Sequence, residues 1–210
     1  MGRLNRVFLT LLILVAAAAV ALFLRARGDV RSQDHRFGSA VRLEDSIEPL
    51  AAEFNRTADR PRLLMVLAPA CPVCLAGIET VQRELLAGDS ELAVLVVWME
   101  ALPYDITRNP ARRIEILAGD PRVTQFYDSR QLTGRQIAEL LDWSAGKLAW
   151  DVYLFFPAGA QWNESPPQPT AWFHQRHDAD PAHFRTGPDL AEALRCQALR
   201  CQACKMQDSH

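Results

Sequence analysis

Short hydrophobic runs alternate with amphipathic segments along most of this chain. Residues 63–68, 92–99 and 150–156 are almost wholly hydrophobic, have the length of β-strands and end at polar or turn-forming residues. Such runs are typical of strands that are covered on both faces. Residues 123–127 and Ala171–His174 are shorter candidates, the second for a sheet edge. The pattern therefore predicts a set of five strands.

Segments with hydrophobic residues at helical spacing separate these strands. The clearest one follows the first strand, where Ile78, Val81 and Leu85 share one face before Gly88 ends the segment. Helices are predicted at residues 43–54, 75–86, 110–117, 134–141 and 188–204. Pro49 should interrupt the first, because proline lacks the N–H that an internal helical turn needs. This order predicts an α/β fold with a mixed central sheet flanked by helices.

An uncharged hydrophobic segment lies near the start of the chain, at residues 7–24, with arginines on both sides. As a helix with a rise of about 1.5 Å per residue it would span about 27 Å, close to the roughly 30 Å hydrocarbon core of a bilayer. Signal peptides usually have shorter hydrophobic regions, of about 7–15 residues. We therefore expect one uncleaved transmembrane helix. A cleaved signal peptide is the alternative, because residues 16–21 are rich in alanine.

This segment suggests how the chain is organised and where it acts. We expect an anchor at residues 1–28, a linker with a short helix at 29–60, a folded domain at 61–200 and a cysteine-containing tail at 201–210. The protein would cross the inner (cytoplasmic) membrane once, with the domain facing the periplasm or exterior. The formal net charge is −2 with both signs mixed along the chain, so nucleic acid is not an expected partner.

The motif with the most chemical content is Cys71-Pro72-Val73-Cys74, placed where the first predicted strand meets a predicted helix. Unpaired N–H groups at a helix start stabilise a thiolate, so Cys71 should have a lowered pKa and act as a nucleophile. Cys74 lies about one turn further on, within reach of a mixed disulfide at Cys71. The spacing favours catalytic thiol–disulfide exchange. Half of a zinc site, or two small buried residues without chemistry, are the alternatives.

Three further cysteines lie near the C-terminus, at Cys196, Cys201 and Cys204. They could form a structural disulfide or an incidental tail, a second redox pair that passes electrons to the C-x-x-C motif, or a soft-metal site for copper or zinc. They are weak metal-ligand candidates, and no metal is predicted. The expected redox group is the disulfide itself, without another cofactor.

The other polar residues give weaker indications of function. The histidines at His174, His177 and His183 lie in a polar stretch and are expected at the solvated surface. Asp151 and the glutamates of the motif helix, Glu79 and Glu84, are likewise expected to be surface or capping groups. No acid can be assigned to the proton transfer that Cys74 would need.

The segment from Ala68 to Cys74, APACPVC, resembles the active-site segment of the thioredoxin-like family. The stretch from Phe126 to Gly159 is similar in pattern to the membrane-anchored, peroxiredoxin-like branch of that family. The resemblance covers roughly residues 60–200. It implies a thioredoxin-like sheet, a redox-active disulfide at the two motif cysteines, and partners that are protein thiols or disulfides together with a redox partner protein.

Two positions depart from the family pattern. The family usually has an aromatic residue before the first cysteine, and here that residue is Ala70. It also usually has a cis-proline before the strand that faces the active site, whereas this position falls near Ala149-Trp150-Asp151. Trp150 would then form a wall of the site. Pro169-Thr170 has the expected dipeptide one strand later.

The function predicted from these features is a membrane-anchored thiol–disulfide oxidoreductase. Two alternatives of other classes remain open. One is a thioredoxin-like protein that binds or handles copper or zinc, and the other is a redox-inert thioredoxin-like docking module. Whether an oxidoreductase would reduce or oxidise its partners depends on its reduction potential, which the sequence does not give.

Overall fold

The computed structural model describes residues 39–88, 91–103 and 115–207. The predicted membrane segment at residues 7–24 lies outside these ranges. So does most of the predicted helix at 110–117, of which Glu115–Leu117 forms a 3-10 turn. Within the described ranges, no helix combines the length and the hydrophobicity needed to cross a bilayer.

In the described part of the chain, one six-stranded mixed sheet forms the centre of the fold. Its strands are β1 (Val41–Arg42), β2 (Arg62–Leu67), β3 (Ala93–Met99), β4 (Val123–Asp128), β5 (Val152–Phe156) and β6 (Ala171–His174). The spatial order is β1-β4-β3-β2-β5-β6. The first four strands in that order are parallel, β5 runs antiparallel to β2, and β6 runs antiparallel to β5. Every residue of β2, β3 and β5 is buried, which accounts for their continuous hydrophobic runs.

The strand pairing agrees with the hydrophobic pattern. Leu64 lies opposite Leu95 in the parallel β2–β3 pair and opposite Leu154 in the antiparallel β2–β5 pair, so the three long runs share one sheet. β6 lies at an edge, as expected. The two-residue strand β1 has no counterpart in the predicted set. β5 begins at Val152 rather than at residue 150, because Asp151 takes a left-handed backbone conformation with a φ of 58°.

Helices cover both faces of the sheet. They are α1 (Glu48–Arg56), α2 (Pro72–Val81), α3 (Leu132–Leu140) and α4 (Gly187–Gln207), and α2 continues into a π-helical turn at Gln82–Leu86. The helix predicted at residues 43–54 begins only at Glu48, so Pro49 lies at the start of the helix instead of interrupting it. Pro49 lies in the first turn of α1, where a helix has no use for the missing N–H and where the fixed φ of proline suits the helical backbone.

Alternate side chains of β2 enter two hydrophobic layers. Leu63, Met65 and Leu67 pack on one face of the sheet with residues of α2 and α4. Leu64 and Val66 pack on the other face with residues of α1 and α3. The mixed sheet with helices on both faces agrees with the α/β fold that the sequence predicts. It also places the start of α2 at the end of a strand buried in the middle of the sheet.

Candidate active site

The C-x-x-C motif lies where β2 ends and α2 begins, as predicted. The N–H of Cys71 donates a hydrogen bond to the carbonyl oxygen of Ala68 at 3.1 Å, which closes the turn between the two elements. Cys71 then takes the N-cap position of α2 with an extended backbone, and Pro72 follows in the first turn. The Cys71 Sγ accepts a hydrogen bond from the backbone N–H of Cys74 at 3.2 Å. An oxygen of serine or aspartate usually makes this contact at an N-cap.

The two thiols of the motif differ in acidity. Both are free in this structure; Cys71 is 6% exposed and Cys74 is fully buried. A hydrogen bond from the Cys74 thiol, supported by backbone N–H groups, lowers the pKa of Cys71 in spite of burial and the nearby Asp151 charge. Burial above all, and then the hydrogen bond to Cys71 and the Asp151 charge, raises the pKa of Cys74 well above its usual value. Cys71 is therefore the thiol that ionises first, as its position at the helix start predicts.

A buried carboxylate lies behind the motif. The prediction that Asp151 is a surface or capping group is wrong, since the residue is 2% exposed. Its backbone N–H donates to the carbonyl oxygen of Val66 at 2.7 Å, which fixes it beside the end of β2. Its side chain lies within hydrogen-bonding reach of the Cys74 thiol, and burial raises its pKa to about 6. A carboxyl group with that pKa can exchange a proton with a thiol near neutral pH.

The helix of the motif passes unusually close to the buried tyrosine of β5. A Cβ added at Gly77 would lie 1.8 Å from the Tyr153 hydroxyl oxygen, so only glycine allows this approach. The Tyr153 hydroxyl donates to Asp151 Oδ1 at 3.4 Å and accepts a hydrogen bond from the Gln175 side-chain amide at 3.0 Å. Asp151, Tyr153 and Gln175 thus form a buried polar cluster directly behind Cys74.

Trp150 borders this cluster. It is partly buried and packs against both hydrophobic layers, and the Arg176 guanidinium lies 4.3 Å from its ring centroid. In the described residues every peptide bond is trans. Pro169 lies at the opposite end of the sheet, because the N–H of Thr170 pairs with Phe155, near the start of β2 rather than near the motif. Pro169 is therefore not beside the motif, whereas Trp150 directly precedes Asp151, which lies behind Cys74.

The three histidines do not converge on the motif. The expectation of a solvated surface is wrong for His174, which is fully buried, although His177 is exposed. His174 Nε2 lies 2.8 Å from the carbonyl oxygen of Asp180, and burial lowers the pKa of the His174 imidazole. His183 stacks on Trp172 with 3.6 Å between ring centroids. Among the described residues there is no cluster of three or more potential metal-ligating side chains.

The C-terminal cysteines lie along α4, toward the far end of the motif helix. Arg195 forms an ion pair with Glu84 at 2.7 Å. Glu84 is ten residues beyond Cys74, or about 15 Å along a helix. Cys196 is exposed next to this contact, and its thiol donates to Glu192 at 3.1 Å. The helical backbone then carries Cys201 and Cys204 further along α4. Of the two glutamates of the motif helix, Glu79 is exposed, as expected. Glu84 is partly buried and forms ion pairs with Arg83 and Arg195.

The sequence contains one signal for the buried cluster. Asp151 is the single charged residue in an otherwise hydrophobic run that was expected to be a strand, and a charge in such a position needs partners. Gln175 carries no comparable signal, because it lies in a polar stretch after a short edge strand. Only the fold brings the two residues together.

No family model matches the chain, and no curated protein matches it either. A solved structure that resembles it is a secreted Mycobacterium tuberculosis disulfide oxidoreductase, homologous to E. coli DsbE. The two share 11% sequence identity, with a TM-score of 0.44, over 71% of this chain and 85% of that chain. With identity this low, an activity has to be inferred from the geometry of the site itself.

Proposed function

We propose that this protein is a thiol–disulfide oxidoreductase in which Cys71 exchanges with a partner and Cys74 resolves the mixed disulfide. The observation that carries the proposal is the asymmetry of the two thiols. Cys71 caps α2 and accepts the N–H of Cys74, while Cys74 is buried against the Asp151 carboxylate. Cys71 is the thiol that ionises more readily and can attack a disulfide, whereas Cys74 stays buried until a mixed disulfide forms at Cys71.

The first step of the reductive direction uses Cys71. Its thiolate attacks one sulfur of a partner disulfide, a new bond forms between Cys71 Sγ and that sulfur, and the partner's other sulfur leaves as a thiolate that takes a proton from water. The hydrogen bonds that favour the Cys71 thiolate make this ionised form available near neutral pH.

The second step uses Cys74 and Asp151. The Cys74 thiol gives its proton to the Asp151 carboxylate, and the resulting thiolate attacks Cys71 Sγ. The Cys71–Cys74 bond forms, the bond to the partner breaks, and the partner leaves as a second thiolate that is protonated by water. The motif is oxidised to a disulfide and the partner disulfide is reduced to a dithiol. Protein oxidation is the same sequence in reverse.

Protein thiols and disulfides are the proposed substrates. Two residues after Cys71, Val73 offers a hydrophobic side chain that is 42% exposed, and Trp150, which borders the buried cluster, is partly exposed. Hydrophobic and aromatic side chains of this kind suit contact with a polypeptide. A redox partner protein would return the motif to its starting state.

We further propose that residues 7–24 anchor the protein in the inner membrane with the domain outside the cytoplasm. The support is the length and hydrophobicity of this segment. Intact-mass measurement of protein extracted from membranes tests the anchor: loss of about the first twenty-five residues would indicate a cleaved signal peptide instead. Protease added to spheroplasts should degrade the domain if it faces outward.

Insulin reduction by dithiothreitol tests the activity. The wild-type protein should accelerate it, and Cys71→Ser should abolish the acceleration. Cys74→Ser should accumulate a covalent complex with the substrate that dithiothreitol releases. Cys196→Ser is the matched control, because this thiol is also free but lies away from the motif, and it should retain full activity. Activity that survives in Cys71→Ser would refute the proposal. Copper or zinc that copurifies and is lost in Cys71→Ser would favour metal handling.

A further inference from the structure

Gln175 reaches the C-x-x-C motif from a distant strand. It follows directly after β6, an edge strand that β5 separates from β2, and it is 8% exposed. Its Nε2 lies 3.2 Å from the carbonyl oxygen of Val73, 3.2 Å from Asp151 Oδ1 and 3.0 Å from the Tyr153 hydroxyl oxygen. One side chain therefore joins the first turn of α2 to the buried acid and to β5.

The partners fix which way the Gln175 amide points. The Val73 carbonyl oxygen can only accept a hydrogen bond, and so can an ionised Asp151 carboxylate. If the amide oxygen of Gln175 pointed toward these two groups, hydrogen-bond acceptors would face each other with no hydrogen between them. The NH2 group must therefore point inward, with its two hydrogens shared among the three oxygens. Because Tyr153 accepts from this amide, its own hydroxyl hydrogen is free to point to Asp151.

The backbone around Gln175 is held on both sides. The N–H of His174 donates to the carbonyl oxygen of His183 at 3.1 Å, and the N–H of Arg185 donates to the carbonyl oxygen of His174 at 2.8 Å. The N–H of Arg176 donates to His174 Nδ1 at 3.1 Å. A buried histidine and a neighbouring segment thus flank Gln175, so its side chain is presented from a fixed position.

We propose that Gln175 is a positioning residue for the resolving step: it holds the Asp151 carboxylate beside Cys74, so that the carboxylate can take the Cys74 proton. This inference rests on the proposed function and adds a residue to it. Gln175 touches no reacting sulfur and acts through Asp151. In the step that it assists, the proton moves from Cys74 Sγ to Asp151, the Cys71–Cys74 bond forms, and the partner sulfur leaves as a thiolate.

The amide also favours the ionised acid. Asp151 faces Cys71 and Cys74 at the start of α2, Tyr153 of β5, and Arg176 of the segment after β6. Within this set the Gln175 hydrogen bond lowers the pKa of Asp151 and so opposes the effect of burial. Removing this N–H donor should raise the pKa of the Asp151 carboxyl group by about one unit. The ionised fraction at pH 6 then falls about fivefold, from about a half to about a tenth.

Stopped-flow reaction with 5,5′-dithiobis(2-nitrobenzoate) separates the two steps. Attack by Cys71 releases one thionitrobenzoate, and resolution by Cys74 releases a second. The full-length protein is used, in a background in which the tail cysteines are replaced: Cys196→Ser, Cys201→Ser, Cys204→Ser. We expect Gln175→Leu to slow the second phase about fivefold at pH 6 and to move its pH midpoint upward by about one unit. The first phase should change by less than about twofold.

Two variants serve as comparisons. Gln197→Leu removes another buried glutamine, whose amide lies 3.4 Å from the Thr170 hydroxyl at the other end of β6, and both phases should be unchanged. Asp151→Asn should abolish the pH midpoint of the second phase. Adding Gln175→Leu to Asp151→Asn should then have no further effect on that phase, because Gln175 acts through the carboxylate.

The possible outcomes separate the two levels of the proposal. If the parent protein releases no thionitrobenzoate from the motif, the oxidoreductase function fails and the role of Gln175 fails with it. If the parent reacts but Gln175→Leu keeps the same midpoint, or slows both phases equally, only the positioning role is overturned. Gln175→Glu keeps the side-chain length and should raise the midpoint further. If circular dichroism shows that neither variant folds, Gln175 is a purely structural residue and the proposal is wrong.

Discussion

Replacing Asp151 by asparagine should stabilise the folded domain near neutral pH, even though it removes the proposed proton acceptor. The carboxyl group is 2% exposed, and burial raises its pKa from an ordinary 3.8 to about 6. The folded state therefore binds this proton more tightly than the unfolded chain does. Ionising the group inside the protein costs free energy that an uncharged asparagine does not.

The magnitude follows from the two pKa values. Their separation of about two units corresponds to about 3 kcal/mol. Because the folded-state pKa is raised, this contribution to stability is present below about pH 4, is lost as the pH rises to about 6, and stays lost above that. The pKa of about 6 already includes the hydrogen bonds from Tyr153 and Gln175. We expect Asp151→Asn to raise the free energy of unfolding by about 2–3 kcal/mol at pH 7 and by less than about 1 kcal/mol at pH 4.

Urea unfolding of the reduced protein, followed by tryptophan fluorescence from pH 4 to pH 7, measures this difference. Asp128→Asn is the control of opposite sign. Asp128 is also fully buried, but its carboxylate accepts the backbone N–H groups of Thr133 at 2.7 Å and Arg130 at 3.1 Å. Its replacement should destabilise the protein at pH 7 by about 1 kcal/mol or more. A loss of stability in Asp151→Asn at pH 7, or a gain that does not change with pH, would refute the reasoning.

Three further predictions concern the fold. Gly77→Ala should lower the free energy of unfolding by about 1–2 kcal/mol, because the clash with Tyr153 outweighs the roughly 1 kcal/mol gain in helix propensity. Urea unfolding measures this change. The control is Gly88→Ala, which should not destabilise the protein because the space around its Cβ is open. In the same assay, Arg62→Met should lower the free energy of unfolding by about 2–4 kcal/mol, since the buried Arg62 guanidinium donates hydrogen bonds to the carbonyl oxygens of Phe54, Pro157 and Ala160. An unchanged free energy of unfolding would show that these hydrogen bonds contribute nothing to stability. A truncated chain that ends at Arg195 should keep its near-ultraviolet circular dichroism spectrum and its activity in insulin reduction. If the truncated protein folds but is inactive, the tail takes part in the mechanism.

The sequence by itself determined the elements whose signals are local. A strand buried on both faces must be hydrophobic throughout, so β2, β3 and β5 can be recognised within a few residues of their ends. The C-x-x-C motif at a strand-to-helix junction is equally local, because Cys71 and Cys74 share one helical turn and Cys71 lies at the helix start. The order of strands and helices was enough to predict a mixed α/β sheet.

Tertiary structure alone decided what lies behind the motif. Asp151 and Gln175 are far from Cys74 along the chain, and they come to lie behind the motif only because β5 pairs with β2 and β6 pairs with β5. The same pairing buries His174, whose sequence surroundings are polar. Whether a polar side chain is solvated or enclosed depends on what packs over it, and that is set by contacts between distant segments. For this reason the C-x-x-C motif could be located from sequence, whereas the buried acid behind Cys74 could not.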